Sequence, residues 1–155
     1  GLGISLMFVL LIANMVVRQL TSGQDNEVWS FGEDNYEILK KYLFIRERLR
    51  PYIRECMKQA SLTGAPVMRP LFFDFDGDKT AWETEDEYMF GPDILVAPVM
   101  EEKVTQRSVY LPAGAAWTDA NTGEVYGGGQ RVIVPAPLDI IPVFFRDGKK
   151  YDIYQ

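Results

Sequence analysis

The chain has 155 residues and a net charge of −6, and 47% of its residues are apolar, 13% aromatic and 25% charged. This composition is typical of a folded globular protein and argues against a disordered one. The negative charge argues against a nucleic-acid partner, because phosphate binding requires a basic surface.

The chain has no histidine and a single cysteine, Cys56. Without histidine there is no Ser-His triad and no His-containing zinc site. One cysteine excludes an internal disulfide framework and a multi-cysteine metal site, and it favours a cytoplasmic protein. We therefore predict no metal and no cofactor, and any catalysis by this chain alone would depend on carboxylates.

Residues 2–17 form a nearly continuous apolar run. Three interpretations compete. A signal peptide would need a basic start and a small-residue cleavage site, and neither is present. A membrane span would need about 20 apolar residues, so this run is a little short. A buried core segment of a larger protein fits best, and such a segment needs apolar neighbours on all sides.

Apolar residues recur every three or four positions over 38–60, which predicts a helical region. Pro51 should divide or kink the helix near Arg50, because proline lacks the N–H that an interior helical turn requires. Gly64 is placed to end the helix.

The stretch 67–75 predicts a strand that carries Pro70. Asp74, Asp76 and Asp78 then alternate as in a calcium loop. The sixth position of that loop, which needs glycine, holds Lys79, so we favour a polar surface turn.

The apolar run 94–99 is bounded by Gly91-Pro92 and Pro98, and it predicts a buried strand. From Arg107 onward, short β segments alternate with Gly- and Pro-rich turns, which indicates a sandwich. The sequence therefore predicts an α+β chain, mainly helical before the stretch 86–99 and mainly β after it.

Six strings follow one another at close spacing: EVWSFGED, RERLRPYI, GAPVMRPLFFDFDGD, DEYMFGPDILVAPV, RSVYLPAGAAWTDANTGEVYGGG and VPAPLDIIPVFFRDG. Together they resemble the C-terminal part of glycoside hydrolase family 31, the α-glucosidases and α-xylosidases. The resemblance covers roughly residues 18–148.

The resemblance implies the last part of a (β/α)8 barrel followed by an antiparallel β-sandwich, the proximal C-terminal domain. Residues 1–80 would be the barrel portion, with a helix region at 36–60 and the last barrel strand at 67–73. Residues 81–155 would be the sandwich.

The resemblance also implies a retaining glycosidase, which needs two carboxylates about 5 Å apart. Both family aspartates belong to motifs upstream of this chain, so we assign no catalytic residue here and expect the chain alone to be inactive. The parent enzyme would hydrolyse α-glucosides or α-xylosides. Arg18, Glu27 and Trp29 are candidates to line its substrate pocket, while Leu20 stands where the family keeps a substrate-binding histidine.

An alternative is a non-catalytic carbohydrate-binding or structural β-sandwich module. Trp117, Tyr110 and Tyr126 could stack on sugars, although core positions are the favoured interpretation of these aromatic residues. The expected partner is a carbohydrate substrate, reached through the complete parent. We predict no nucleic-acid or membrane partner, and we expect the isolated chain to self-associate through exposed strand edges and apolar helix faces.

Overall fold

The computed structural model describes residues 33–99, 105–137, 140–151 and 153–154. Its helices are α1 (Glu33–Arg48), α2 (Arg50–Thr63), α3 (Leu71–Asp74) and α4 (Lys79–Glu83). Its strands are β1 (Met68–Pro70), β2 (Tyr88–Phe90), β3 (Ile94–Val96), β4 (Gln106–Leu111), β5 (Ala116–Asp119), β6 (Val125–Gly127), β7 (Gln130–Pro135) and β8 (Val143–Arg146).

The predicted division of the long helix is confirmed. Helix α1 ends at Arg48 and α2 begins at Arg50, with Pro51 in the first turn of α2, where its missing N–H costs nothing. Gly64 then caps α2 in the left-handed conformation, with φ 75° and its N–H on the Ala60 carbonyl. Local signals therefore fix both helix ends.

The strands form two antiparallel sheets within the described residues. The larger has six strands in the order β1-β2-β3-β8-β5-β6, and the smaller pairs β4 with β7. The prediction of an antiparallel β region after the helices is thus confirmed.

The six-stranded sheet is covered on both faces, because side chains alternate along each strand. Ile94 and Val96 of β3 pack in one apolar cluster with residues of α1 and α2, which we call the helix-facing core. Leu95, between them, packs in a second cluster with residues of β4 and β7, which we call the sheet-facing core. Phe144 of β8 joins the second cluster, while its neighbours join the first. The molecule is therefore three layers deep around this sheet.

Two strand predictions differ from the structure. Only Met68–Pro70 of the predicted strand 67–75 is extended, and Leu71–Asp74 turns into helix α3. Strand β1 pairs antiparallel with β2, so its pairing is that of the β-sheet and not of a parallel barrel strand. In the run 94–99 the strand stops at Val96; the next amide, of Ala97, bonds to the carbonyl of Pro142, and Pro98 has no N–H.

The barrel portion implied by the resemblance is not seen in the described residues, and the division into domains at residues 80 and 81 stays a prediction. The apolar run 2–17 lies outside the described residues. Across the described part of the chain, none of the helices has the length and apolar character to cross a membrane.

Candidate functional site

The three predicted pocket residues, Arg18, Glu27 and Trp29, lie outside the described residues, as does Leu20. Their role in substrate binding therefore stays a prediction. The described residues do show what the acidic groups of the chain contact, and these contacts decide which carboxylates are committed to the fold.

Asp78 connects the acidic turn, residues 74–78, to strand β4 and to the turn that follows β4. Its Oδ1 accepts hydrogen bonds from the amides of Thr80 (3.0 Å) and Ala81 (3.4 Å), which caps helix α4. Its Oδ2 accepts from the Tyr110 hydroxyl at 2.5 Å and from the Ala113 amide at 2.9 Å. Desolvation acts to raise the pKa of Asp78, but these hydrogen bonds together hold the pKa below the ordinary aspartate value. Asp78 is thus a structural carboxylate.

Asp74 is also a structural carboxylate, because it pairs with a buried arginine. Its Oδ2 lies 2.8 Å from the Arg69 guanidinium, and the Arg69 side chain is almost fully buried. Burial raises the pKa of Asp74, while the charge of Arg69 acts in the opposite direction. Within the part of the chain that the structure describes, no group of three or more acids or cysteines could hold a metal ion.

Glu87 is the most perturbed acid of the described residues. It is 4% exposed, and its Oε1 accepts a hydrogen bond from the Tyr110 amide of β4 at 2.6 Å and lies 3.9 Å from Arg107. Its Oε2 is buried without a hydrogen-bond partner. Desolvation raises the pKa of Glu87 to about 7, against the opposing effects of the Tyr110 amide and Arg107. Because the carboxyl is enclosed between the sheets, it links them and does not face a substrate.

Arg107 completes this cluster. Its guanidinium donates to the carbonyl oxygens of Pro98 and Asp86, and it pairs with the Asp86 carboxylate at 2.9 Å. These contacts connect β4 to the segment before β2 and to the segment after β3. The guanidinium of Arg107 therefore has a structural role.

An apolar hollow with a volume of about 530 Å³ lies between α2 and the β2–β3 turn. Tyr52 lines this hollow. Its hydroxyl donates to the Phe90 carbonyl at 2.6 Å and accepts from the Asp93 amide at 3.2 Å. The Asp93 carboxylate in turn accepts from the Tyr151 hydroxyl at 2.8 Å. Cys56 lines the same hollow, and burial raises the pKa of its thiol, so the thiol is a poor nucleophile.

The aromatic residues considered as sugar platforms lie mainly in the core. Trp117 is fully buried, and its indole N–H donates to the Pro112 carbonyl at 3.0 Å. Tyr110 is also buried, whereas Tyr126 is half-buried and donates to Glu124. Sequence reasoning passed over Trp82, which is 54% exposed on α4. The tryptophan stands directly before an acidic stretch, 83–87, but this context does not by itself indicate exposure, because Thr84 and Glu87 in the same stretch are buried.

The family model for the "Glycosyl hydrolase family 31 C-terminal domain" matches residues 64–149. The chain belongs to glycosyl hydrolase family 31. This confirms the resemblance to the C-terminal part of that family found in the sequence. The matched residues include β1 to β8 and the helices α3 and α4.

The relatives that match the chain include an α-glucosidase and an α-xylosidase. The chain is 41% identical over 122 residues to "Alpha-glucosidase 2" of Bacillus thermoamyloliquefaciens, a match that covers 79% of this chain and 15% of that protein. It is 38% identical over 122 residues to "Alpha-xylosidase" of Saccharolobus solfataricus, covering 79% of this chain and 17% of that protein. The chain thus spans less than a fifth of the length of these two relatives.

Solved structures of family 31 enzymes show the same fold. A GH31 alpha-xylosidase from a soil metagenome, complexed with xylose, is 59% identical and superposes with a TM-score of 0.77, over 81% of this chain and 18% of that one. A Flavobacterium johnsoniae GH31 dextranase complexed with glucose is 36% identical with a TM-score of 0.77, over 82% of this chain and 16% of that one.

Proposed function

We propose that this chain is the C-terminal part of a retaining α-glycosidase that hydrolyses O-glycosyl bonds, with α-xylosides as the preferred substrates and α-glucosides as the alternative. The observation that carries this proposal is the 59% identity to the soil-metagenome alpha-xylosidase, which exceeds the 41% identity to the Bacillus alpha-glucosidase. The family membership of residues 64–149 supports the reaction class.

Within that enzyme the described residues act as a scaffold and not as the source of the reacting carboxylates. A retaining mechanism needs a nucleophile and an acid/base about 5 Å apart and open to substrate. Asp74, Asp78 and Glu87 instead contact Arg69, backbone amides and Arg107. We place both catalytic carboxylates on the part of the parent upstream of this chain, and the chain alone is inactive.

The residues Arg18, Glu27 and Trp29 remain our candidates for the substrate pocket of the parent. They precede the helices that anchor the sheet, and in a barrel enzyme the loops at the carboxyl ends of the strands form the active site. Substituting Glu27 by Gln in the parent should weaken binding of the substrate, whereas a substitution at the buried Glu87 should act on stability.

The test is a comparison of kcat/KM for the complete parent with p-nitrophenyl α-xyloside and p-nitrophenyl α-glucoside. The two sugars differ by one hydroxymethyl group, for which a pocket discriminates by about tenfold or more. We expect the xyloside to be the better substrate by that factor. A preference for the glucoside would replace the xylosidase assignment, and no turnover of either would contradict the proposed reaction.

A further inference from the structure

An aromatic pair lies on the surface beside the acidic turn. The rings of Phe72 and Trp82 are 4.2 Å apart and within 6° of parallel. Trp82 is 54% exposed although one side of its indole is covered by Phe72. A large flat apolar surface therefore faces solvent in the described structure, and contiguous exposed apolar surface of this kind can mark a binding site.

The orientation of the indole is fixed before any ligand arrives. Its Nε1–H donates to the Asp76 carbonyl at 2.7 Å, and its backbone belongs to helix α4, which Asp78 caps. A ring that is already immobilised loses little conformational entropy when a second flat surface stacks on it. The stack is thus a rigid platform and not a mobile surface side chain.

The polar surroundings favour a ligand rich in hydroxyl groups. Asp76 and Glu83 are exposed neighbours of the stack in sequence, and carboxylates accept hydrogen bonds from hydroxyls. The indole N–H is already used, so the ring offers its face and edge carbons. An apolar face with acceptors beside it matches a pyranose ring, which has an apolar C–H face and a rim of hydroxyl donors.

We propose that Trp82, supported by Phe72, is a surface platform on which a sugar ring of an α-linked oligosaccharide stacks. The choice of an α-linked xylosyl or glucosyl ligand rests on the proposed function, while the platform itself rests on the geometry of the stack. Such a site holds an oligosaccharide on the surface of the protein through one stacked ring.

The test is a titration of the 155-residue chain with isoprimeverose and with maltotetraose, followed by the indole N–H resonances in nitrogen-15 NMR spectra. The chain has three tryptophans, and loss of one indole signal in Trp82→Phe assigns the signal of Trp82. We expect the Trp82 signal to shift and saturate at millimolar sugar, and the signal of the buried Trp117 to stay in place. The absence of a saturable shift of the Trp82 signal with either sugar overturns the proposal and assigns the aromatic surface to packing against the rest of the parent.

Matched variants separate stacking from folding. Trp82→Ala should weaken sugar binding by about tenfold, and Trp82→Phe should recover part of the loss because it keeps an aromatic face. Phe73→Ala is the control, since Phe73 is comparably exposed at 46% but contacts Arg69 and is not part of the stack. Isothermal titration calorimetry measures the affinity of each variant for the sugar, and a cooperative thermal unfolding transition shows that each variant is folded. Equal affinity of wild type and Trp82→Ala, or an equal loss in Phe73→Ala, would refute the assignment.

The result of this titration is independent of whether the parent catalyses the proposed reaction. A parent that hydrolyses α-xylosides while the 155-residue chain shows no Trp82 shift would refute the platform alone. Saturable binding at Trp82 in a chain whose parent hydrolyses neither substrate would refute the proposed reaction and leave a sugar-binding module.

Discussion

The two cores on either side of the six-stranded sheet are held together by different chemistry. Across the helix-facing core the bridging groups are tyrosine hydroxyls: Tyr52 bonds to the Phe90 carbonyl, and Tyr154 bonds to both backbone groups of Ile141. Beside the sheet-facing core the bridging groups are carboxylates, Asp78 and Glu87, which hold β4 and the turn after it.

Because of this difference, we expect the stability of the two cores to respond differently to pH. Burial raises the pKa of Tyr52 and of Tyr151 far above the physiological range, so these hydroxyls stay neutral. The pKa of Glu87, by contrast, is about 7, so its charge changes within the range in which proteins work. The hydroxyls of Tyr52 and Tyr151 at the helix-facing core therefore stay uncharged near neutral pH, whereas Glu87 beside the sheet-facing core changes its charge there.

The largest effect that tests the helix-facing core comes from Gly91. Its φ is 67°, and a Cβ at this position would lie 2.3 Å from the Tyr52 hydroxyl oxygen and 2.5 Å from the Cys56 sulfur. Gly91→Ala should therefore lower the free energy of unfolding by about 2–5 kcal/mol, from the unfavourable φ together with overpacking. Urea unfolding of the purified chain measures this loss.

The control for Gly91 is Gly123→Ala, because Gly123 has a φ of 77° and no atom within 4 Å of the added Cβ. This variant should lose only the cost of the backbone conformation, about 1–2 kcal/mol. Equal losses in the two variants would show that α2 does not pack tightly on the β2–β3 turn, and would contradict the description of the helix-facing core.

Glu87 tests the sheet-facing core. Burial raises its pKa from the ordinary value of 4.5 to about 7, so between these values the folded protein binds more protons than the unfolded chain. The contribution of Glu87 to stability is therefore complete below pH 4.5 and is lost as the pH rises to about 7. Glu87→Gln, which cannot ionise, should gain stability relative to wild type over that range by an amount on the order of 3 kcal/mol.

Urea unfolding at a series of pH values measures this difference. Glu83→Gln, at an exposed position on α4, is the matched control and should change the free energy of unfolding by no more than about 0.5 kcal/mol. A constant difference between Glu87→Gln and wild type from acid to neutral pH would contradict the enclosed position of this carboxyl.

The smallest effect is expected for Tyr151→Phe. The variant keeps the ring, which packs against Tyr52 at a centroid distance of 4.5 Å, and removes only the 2.8 Å hydrogen bond to Asp93. The loss should be about 1 kcal/mol. Because the hydroxyl stays neutral, the loss of unfolding free energy should be the same when it is measured at pH 5 and at pH 8. A loss that depends on pH would contradict the claim that the two cores respond differently to pH.

Local chemistry made part of the fold predictable. Pro51 and Gly64 determine the ends of α2 through a missing N–H and a left-handed φ, and neither effect requires tertiary contacts. The alternation of Ile94, Leu95 and Val96 could not be used in the same way, since a strand buried on both faces has no polar side to reveal its orientation. Which neighbour faces the helices depends on the complete sheet.

The candidate site was harder to predict than the fold. The tryptophans Trp82 and Trp117 have the same side chain, but one lies on the surface and the other is fully buried. Likewise, Asp86 and Glu87 are adjacent acids, of which one is exposed and the other enclosed. Burial of single positions depends on contacts between distant segments, such as Glu87 with Tyr110, and the sequence alone does not report those contacts.

The most direct measurement is an assay of the purified 155-residue chain with p-nitrophenyl α-xyloside, run beside the complete parent. We predict turnover by the parent and none by the chain, because Asp74, Asp78 and Glu87 are engaged in the fold and because we propose that the two reacting carboxylates belong to the parent upstream of this chain. Turnover by the chain that survives repurification would contradict the account, since acids within these 155 residues would then carry the reaction.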